Sequence, residues 1–198
     1  MKRPVGYTSL FNGRDLTGWE SAQGGTVRWA VNAKNKAIVS VGAKRQGNWL
    51  FSDKDFSDFR LRLEFRIEPQ SDSGIALRTP PLSNVKQGRM AIRLTSHSDD
   101  PIPTGTFVTW SGGAAHPQST PQDRVSLRPA NKWNAVEIEF RGSRLAVTIN
   151  GQTIQDVNVD ELARKSKAGG GLLEKTGRIG LECRSGHVEF RDIEIQEL

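Results

Sequence analysis

Apolar and polar residues alternate without a break from Phe59 to Ile67. Five apolar side chains fall at the odd positions of this segment, and four charged side chains fall at the even positions. Successive side chains of a β-strand point to opposite faces of its sheet, so the pattern predicts a strand with one buried face. An α-helix could not place the five apolar residues on a single stripe.

Alternation of the same kind returns in residues 136–140, 145–149 and 179–183. Asn150-Gly151 follows the second of these segments, and this dipeptide tolerates the positive φ angles of a tight hairpin turn. A further strand should therefore begin directly after the turn. Beyond Phe190 the alternation continues one residue out of step, which predicts a β-bulge at Arg191-Asp192.

Weaker strand patterns occupy residues 27–31, 37–41, 49–52, 73–78, 90–95 and 106–109. The one helical pattern covers about residues 159–167, with Asp160 at its N-cap, and residues 96–104 and 111–132 are predicted loops. About a dozen short strands separated by Gly, Pro, Asn and Ser clusters predict an all-β sandwich or barrel. Because no repeat, linker or change in composition divides the chain, we expect residues 1–198 to form a single domain.

Composition and charge narrow the range of partners. The 198 residues carry 28 Lys and Arg against 22 Asp and Glu, a net charge of +6 at pH 7. The basic residues are scattered and are not interleaved with exposed aromatic residues, so we expect no nucleic-acid partner. No apolar run approaches the ~18 residues that a membrane span needs. The single Cys183 excludes an internal disulfide, and its apolar setting predicts a buried, inert thiol.

The start of the chain leaves two cellular locations open. Met1, Lys2 and Arg3 are followed by no apolar segment, so we expect no signal peptide within this chain. An exported protein, periplasmic or extracellular, would have lost its signal peptide and received a new initiator Met. A full-length gene product would be cytoplasmic.

Most sequence motifs of catalysis are missing. The chain has no Gly-x-x-x-x-Gly-Lys phosphate loop, no His-Glu-x-x-His and no Gly-x-Ser-x-Gly. Among the histidines His97 is the best candidate, because Asp99 and Asp100 follow it in a predicted loop and could complete a divalent-metal or polar site. Glu137 and Glu139 share a strand face, but this spacing is typical of a solvated strand.

Short sequence signatures occur in order along nearly the whole chain. Residues 71–78 match Asn-Ser-Gly-Ile-x-x-Arg with Asp72 in place of Asn, and further signatures lie at residues 6–19, 29–31, 56–66, 133–134, 150–151, 177–181 and 188–193. Together they resemble the 3-keto-disaccharide hydrolase domain family, long known only as a domain of unknown function. The resemblance implies a concanavalin- or laminarinase-like jelly-roll sandwich of two antiparallel sheets with at most one or two short helices. One sheet of such a fold is concave and carries the carbohydrate site.

The resemblance also implies an activity. Members of the family are linked to the cleavage of 3-keto sugars or to polysaccharide handling, and they are usually exported by bacteria. Oxidation of a sugar at C3 acidifies the hydrogen on C2, so cleavage can begin with proton abstraction beside the carbonyl. That chemistry needs a base together with a cation, a divalent metal or hydrogen-bond donors that stabilise the enolate.

The candidate active-site strand departs from the family pattern. A family segment resembling Gly-x-Glu-x-Gln-x-x-Asp aligns with residues 89–96, where Ala91 and Arg93 replace the Glu and the Gln. A downstream family Tyr is replaced by Val108. By alternation, Ala91 and Arg93 should lie on the open face of the sheet, and Arg78 should join them. The scaffold is therefore retained, while the expected acid/base residue is absent.

Three functions remain open for such a site. The first is an enzyme of the 3-keto-glycoside hydrolase or lyase type, with His97 or Asp99 as base and Arg93, alongside Arg78, stabilising negative charge. The second is a non-catalytic, lectin-like glycan-binding module, and the third is a structural module with an unused groove. The substrate-binding candidates are Asp72, Ser73, Arg78, Arg93 and Trp110. Arginines at the centre of the face suggest that the sugar partner is anionic.

Overall fold

A computed structural model describes residues 5–22, 28–41, 48–80, 88–97, 99–111, 114–123, 125–130, 132–165, 172 and 174–198. These residues contain fifteen strands and one short helix, α1 (Val159–Lys165). The strands are β1 (Thr8–Ser9), β2 (Trp19–Ser21), β3 (Arg28–Asn32), β4 (Ala37–Val41), β5 (Asn48–Phe56), β6 (Phe59–Ile67), β7 (Asp72–Thr79), β8 (Arg89–Thr95), β9 (Phe107–Ser111), β10 (Ala114–Ser119), β11 (Asn134–Arg141), β12 (Arg144–Ile149), β13 (Gln152–Asn158), β14 (Gly177–Ser185) and β15 (Val188–Glu197). Residue 27 of the predicted strand 27–31 and residues 166–167 of the predicted helix lie outside the described residues.

The strands pair into two antiparallel sheets. The eight-stranded sheet has the order β13-β12-β11-β6-β15-β4-β3, with β1 added on β15. The seven-stranded sheet has the order β10-β9-β8-β7-β14-β5-β2. The predicted all-β sandwich of two antiparallel sheets with one short helix is confirmed.

The core lies between the two sheets. The alternating strand β6 buries Leu61, Leu63 and Phe65 on its inner face, as its sequence predicts. Ile75 and Ile92 of the seven-stranded sheet belong to the same apolar cluster. Full burial of one such side chain contributes about 1.5–3 kcal/mol, so these matched faces hold the sheets together.

Two predicted features of the strands are confirmed. Asn150 and Gly151 have φ angles of 51° and 84°, and strand β13 begins directly after them. The pairing of β15 with β6 shifts between Arg191 and Glu194, and Asp192 has a φ of 49°. This bulge returns the later apolar residues of β15 to the buried face.

Two local predictions were wrong. Asn158, and not Asp160, caps the helix, because its Oδ1 atom accepts a hydrogen bond from the backbone N–H of Glu161 at 3.1 Å. The segment 111–132, predicted as a loop, contains β10, which pairs with β9; its residues 112, 113, 124 and 131 are outside the described part of the chain.

No helix in the described ranges is long and apolar enough to cross a membrane.

Candidate functional site

The outer face of the seven-stranded sheet, which is turned away from the core, carries a second apolar cluster. Its buried members are Trp49, Phe51, Ala76, Ala91, Val108 and Trp110. They alternate along their strands with residues that belong to the core between the sheets. Apolar side chains are therefore buried on both faces of the seven-stranded sheet, and the outer face is not simply a solvated surface.

Small residues form the floor of this outer face. Gly180, Ala76 and Ala91 are direct neighbours across β14, β7 and β8. A β-carbon at Gly180 would come within 2.5 Å of the Phe51 ring, so only glycine lets that ring lie against the strand. Ala91, which stands where the family pattern has Glu, is part of this floor and is fully buried.

Two tryptophans meet above the floor. Trp49 lies on β5 and Trp110 on β9, and three strands separate them in the sheet. Neighbouring strands would hold their backbones roughly 19 Å apart, yet the ring centroids are 6.5 Å apart in an edge-to-face arrangement. Both side chains must therefore lean inward across the sheet. The indole nitrogen of Trp110 is buried and has no hydrogen-bond partner within the described ranges.

A carboxyl group, Glu182, lies on the same face. It is on β14, its cross-strand neighbours are Trp49 and Gly74, and it is only 4% exposed. Its Oε2 atom lacks a hydrogen-bond partner among the described residues. Burial, aided by the negative charge of Asp72, raises the pKa of Glu182 to about 8. At neutral pH this carboxyl group therefore holds its proton.

Glu182 was not a predicted site residue, although the sequence contains the signal for it. Alternation places Leu181 and Cys183 on the buried face, so the residue between them must point the other way. Cys183 is indeed buried, and burial raises the pKa of its thiol to about 11. The outer face thus carries a buried acid on β14, two strands away from Ala91 on β8.

Arg93 lies on the outer face as predicted, and all of its hydrogen-bond donors are used within the protein. Its Nε and Nη2 donate to the two oxygens of Asp72 at 3.0 and 2.9 Å. Its Nη1 and Nη2 also donate to Asp100 at 2.9 and 2.8 Å, and Nη1 donates to the carbonyl of Ile102 at 2.8 Å. A guanidinium has five N–H groups, so none remains for a sugar or an enolate. The geometry thus gives Arg93 and Asp72 a structural part, and their predicted substrate roles gain no support.

The expected position of Arg78 on the outer face is wrong. A φ of 44° at Arg78 breaks the alternation of β7 and turns the side chain between the sheets, where it is 1% exposed. Its guanidinium carbon lies 3.6 Å from the ring centroid of Phe140 in the core. It donates to the carbonyls of Ser57 and Gly142 and to the Asp58 carboxylate at 2.7, 2.8 and 2.9 Å. Arg78 therefore ties the ends of the two sheets together.

The remaining predicted residues are dispersed. Ser73 faces the core, where its hydroxyl donates to the Glu182 carbonyl at 2.6 Å. His97 and Asp99 are exposed in the loop after β8, and His97 lines a separate cleft of about 310 Å³ together with Arg128. Within the described ranges, no three His, Cys, Asp or Glu side chains are grouped so that they could hold a metal ion.

Two further arginines complete the outer face. The guanidinium carbon of Arg89 lies 5.7 Å from the ring centroids of both Trp49 and Phe51. That of Arg184 lies 4.6 Å from the ring centroid of Trp110. Stacking of this kind holds a guanidinium over an aromatic ring while its edge donors stay available. The face thus combines three aromatic rings, a protonated carboxyl and two stacked cations.

Comparison with known proteins gives this arrangement a context. The model of the 3-keto-alpha-glucoside-1,2-lyase-like domain matches residues 6–196. The chain belongs to this family. This confirms the resemblance inferred from the sequence signatures. No curated protein matches this lyase-like domain.

Solved structures agree with the fold of this lyase-like domain. A putative glycosyl hydrolase from Parabacteroides distasonis is 21% identical, with a TM-score of 0.73 over 98% of this chain and 94% of that one. The carbohydrate-binding module CBM66 from Bacillus subtilis is 14% identical, with a TM-score of 0.66 over 91% and 96%. A β-glucanase from Bacillus licheniformis is 10% identical, with a TM-score of 0.62 over the whole of both chains. At these identities the comparisons establish the jelly-roll fold.

Proposed function

We propose that this domain cleaves the glycosidic bond of a 3-keto sugar at the outer face of the seven-stranded sheet, with Glu182 as the proton-transferring group. The observation that carries the proposal is the buried carboxyl oxygen of Glu182 without a hydrogen-bond partner among the described residues. Leaving such an atom unpaired costs about 1–3 kcal/mol, which a bound sugar hydroxyl could offset. Unpaired buried acids of this kind are typical of functional sites.

The chemistry follows from the acidity of a hydrogen beside a carbonyl. The Glu182 carboxylate takes the proton from C2 of the sugar, and the electron pair of that C–H bond moves onto the C3 carbonyl oxygen to form an enolate. The enolate then returns the electron pair to form a double bond between C1 and C2. The C1–O bond breaks, and the departing oxygen keeps its electron pair and takes a proton from water. The products are an unsaturated 3-keto sugar and the free alcohol of the leaving sugar.

The surroundings of Glu182 suit it to this step. Because burial raises its pKa to about 8, its ionised form is a stronger base than an ordinary carboxylate. About one molecule in ten carries this ionised form at pH 7. The positive charge of Arg184 acts on Glu182, and the same charge can stabilise the enolate that forms.

A glycan-binding module is the second candidate function. Trp49 and Trp110 place two indole rings at this face, and aromatic rings supply apolar contact area for sugar rings. Phe51, which stacks on Trp49, is itself fully buried. The similarity to CBM66 in fold fits this alternative as well. In this case a sugar would bind without being cleaved.

The test is to incubate the protein with 3-keto-trehalose and 3-keto-α-glucosides, with and without divalent metal, and to measure the sugar released between pH 6 and pH 9. We expect release that rises with pH toward about 8 and is abolished in Glu182→Gln. Glu137→Gln is the matched control, because Glu137 is an exposed carboxylate on the other sheet. Turnover that survives in Glu182→Gln but disappears in His97→Ala would show that the base is His97, in the loop after β8, and not Glu182. Binding without release would favour the glycan-binding module.

A further inference from the structure

We infer that the outer face selects a sugar that bears an anionic group, a carboxylate or a sulfate, which Arg89 and the indole N–H of Trp110 bind together. The inference rests on the proposed carbohydrate site and names the class of sugar that this site takes. Arg89 and Trp110 are direct cross-strand neighbours on β8 and β9, and both belong to the outer face.

Arg89 is positioned by stacking and not by a hydrogen bond or an ion pair. Its guanidinium stacks on Trp49 and Phe51, and no hydrogen bond or ion pair joins it to a described residue. Glu182 acts on it only through its charge. Burial lowers the pKa of Arg89, which shows that the group has lost part of its hydration. A partly desolvated guanidinium with open donors is a receptor for a planar or tetrahedral anion.

Trp110 supplies an independent observation that points to the same ligand. Its side chain is 7% exposed, and its Nε1 donor has no acceptor in the described part of the chain. An indole nitrogen can only donate, so whatever satisfies it must bring an acceptor. The oxygens of an anionic group would accept from Arg89 and from Trp110 at the same time.

The charged groups around Arg89 leave it without a carboxylate partner. Arg93 occupies both Asp72 and Asp100 with short hydrogen bonds, and elsewhere on the same face Arg178 pairs with Glu20. An anionic group on the ligand would supply the negative charge beside Arg89.

Arg89 is a better receptor than the other arginines of the domain's central strands. Arg93 has no free donor, and Arg78 lies between the sheets. Arg184 has a carboxylate oxygen of Asp72 at 3.8 Å from its Nε, so its charge is partly compensated. The anionic preference that the sequence suggested through Arg78 and Arg93 is thus carried by different residues.

The experiment compares three matched probes by isothermal titration calorimetry: methyl α-glucoside, methyl α-glucuronide and methyl α-glucoside 6-sulfate. We expect at least one charged probe to bind about tenfold more tightly than the neutral one at low salt, and the two charged arms distinguish a carboxylate from a sulfate. Arg89→Gln should abolish that preference. Arg144→Gln should retain it, because Arg144 is exposed on the other sheet and its loss removes the same charge.

The outcomes separate this inference from the proposed chemistry. Equal or weaker binding of both charged probes, or an unchanged preference in Arg89→Gln, overturns the inference. If Arg89→Gln fails to fold, Arg89→Lys keeps the charge but loses the forked donor pair, and it should still lower the preference about threefold. Selective binding without cleavage of 3-keto sugars contradicts only the proposed chemistry. Cleavage of neutral 3-keto sugars without any charge preference contradicts only the inference made here.

Discussion

The Glu182 side chain lies directly over Gly74 of the neighbouring strand. A β-carbon at position 74 would stand 3.2 Å from the Glu182 Oε2 atom and 3.3 Å from the carbonyl oxygen of Ile92. This is closer than ordinary van der Waals contact. The absence of a side chain at Gly74 is therefore what leaves room for the Glu182 carboxyl group on the outer face.

Gly74→Ala should lower the free energy of unfolding by about 1–3 kcal/mol, because the added methyl group overpacks this contact. The same substitution in a Glu182→Ala background should cost about 1 kcal/mol less, since one of the two obstacles is gone. Urea unfolding of the four proteins of this cycle measures the coupling. Equal costs in the two backgrounds would show that the carbonyl of Ile92, and not Glu182, limits the space.

The raised pKa of Glu182 makes the free energy of unfolding depend on pH. Burial raises this pKa from 4.5 to about 8 in the folded state. Between these values the folded protein keeps a proton that the unfolded chain releases, so stability falls as pH rises, by up to about 1.4 kcal/mol per pH unit. Below about pH 4.5 both states are protonated, and the full contribution is present.

Glu182→Gln removes this titration. The stability of the wild type relative to Glu182→Gln should decline steadily between pH 5 and pH 8, as measured by urea unfolding at each pH. The comparison cancels other titrating groups that the two proteins share. Parallel stability curves would mean that the carboxyl group is hydrated in solution.

The buried position of Arg78 predicts a loss of stability without a loss of ligand binding. Arg78→Met should lower the free energy of unfolding by about 2–3 kcal/mol, because three hydrogen bonds and the contact with Phe140 are lost. Arg62→Met, on the exposed face of β6, is the matched control and should change it by less than about 1 kcal/mol. Reduced sugar binding by a folded Arg78→Met protein would contradict the placement between the sheets.

Alternation predicted the sandwich because burial of one strand face is the dominant pattern in such a sheet. Phe59–Ile67 shows this, since every second residue of β6 is buried. The same rule failed at Arg78, where a positive φ angle ends the alternation. Nothing in the residue types around Arg78 signals that backbone change, because arginine has no preference for it.

The candidate site was harder to predict than the fold for a physical reason. Periodicity assigns side chains to faces, but it does not show which of them meet across a sheet. Trp49 and Trp110 lie on strands that are not neighbours, and their rings meet above a floor of small residues. The sequence also could not show that the donors of Arg93 are satisfied within the protein, because Asp72 and Asp100 are distant from each other in sequence.

Removal of the Arg93 guanidinium from its cluster with Asp72 and Asp100 should lower the free energy of unfolding by an amount that depends on pH. Although burial alone would raise it, the Ile102 N–H and the Arg93 guanidinium hold the pKa of Asp100 below its usual value. Arg93→Met leaves two carboxylates facing each other, and we expect a loss of about 3–5 kcal/mol at pH 7. The stability that Asp100 gains from ionisation is present above its usual pKa of 3.8 and is lost as pH falls through its lower folded value. The cost of Arg93→Met should therefore shrink toward pH 3.

Urea unfolding of the wild type and Arg93→Met at pH 3, 5 and 7 measures this trend. Arg144→Met is the control, since its ion pair with Asp156 is exposed and should contribute less than about 1 kcal/mol at any of these pH values. A cost of Arg93→Met that is the same at pH 3 and pH 7 would show that packing, and not charge pairing, accounts for it. In that case the ion pairs of Arg93 with Asp72 and Asp100 would contribute little to stability, because their charges would be offset by the cost of removing them from water.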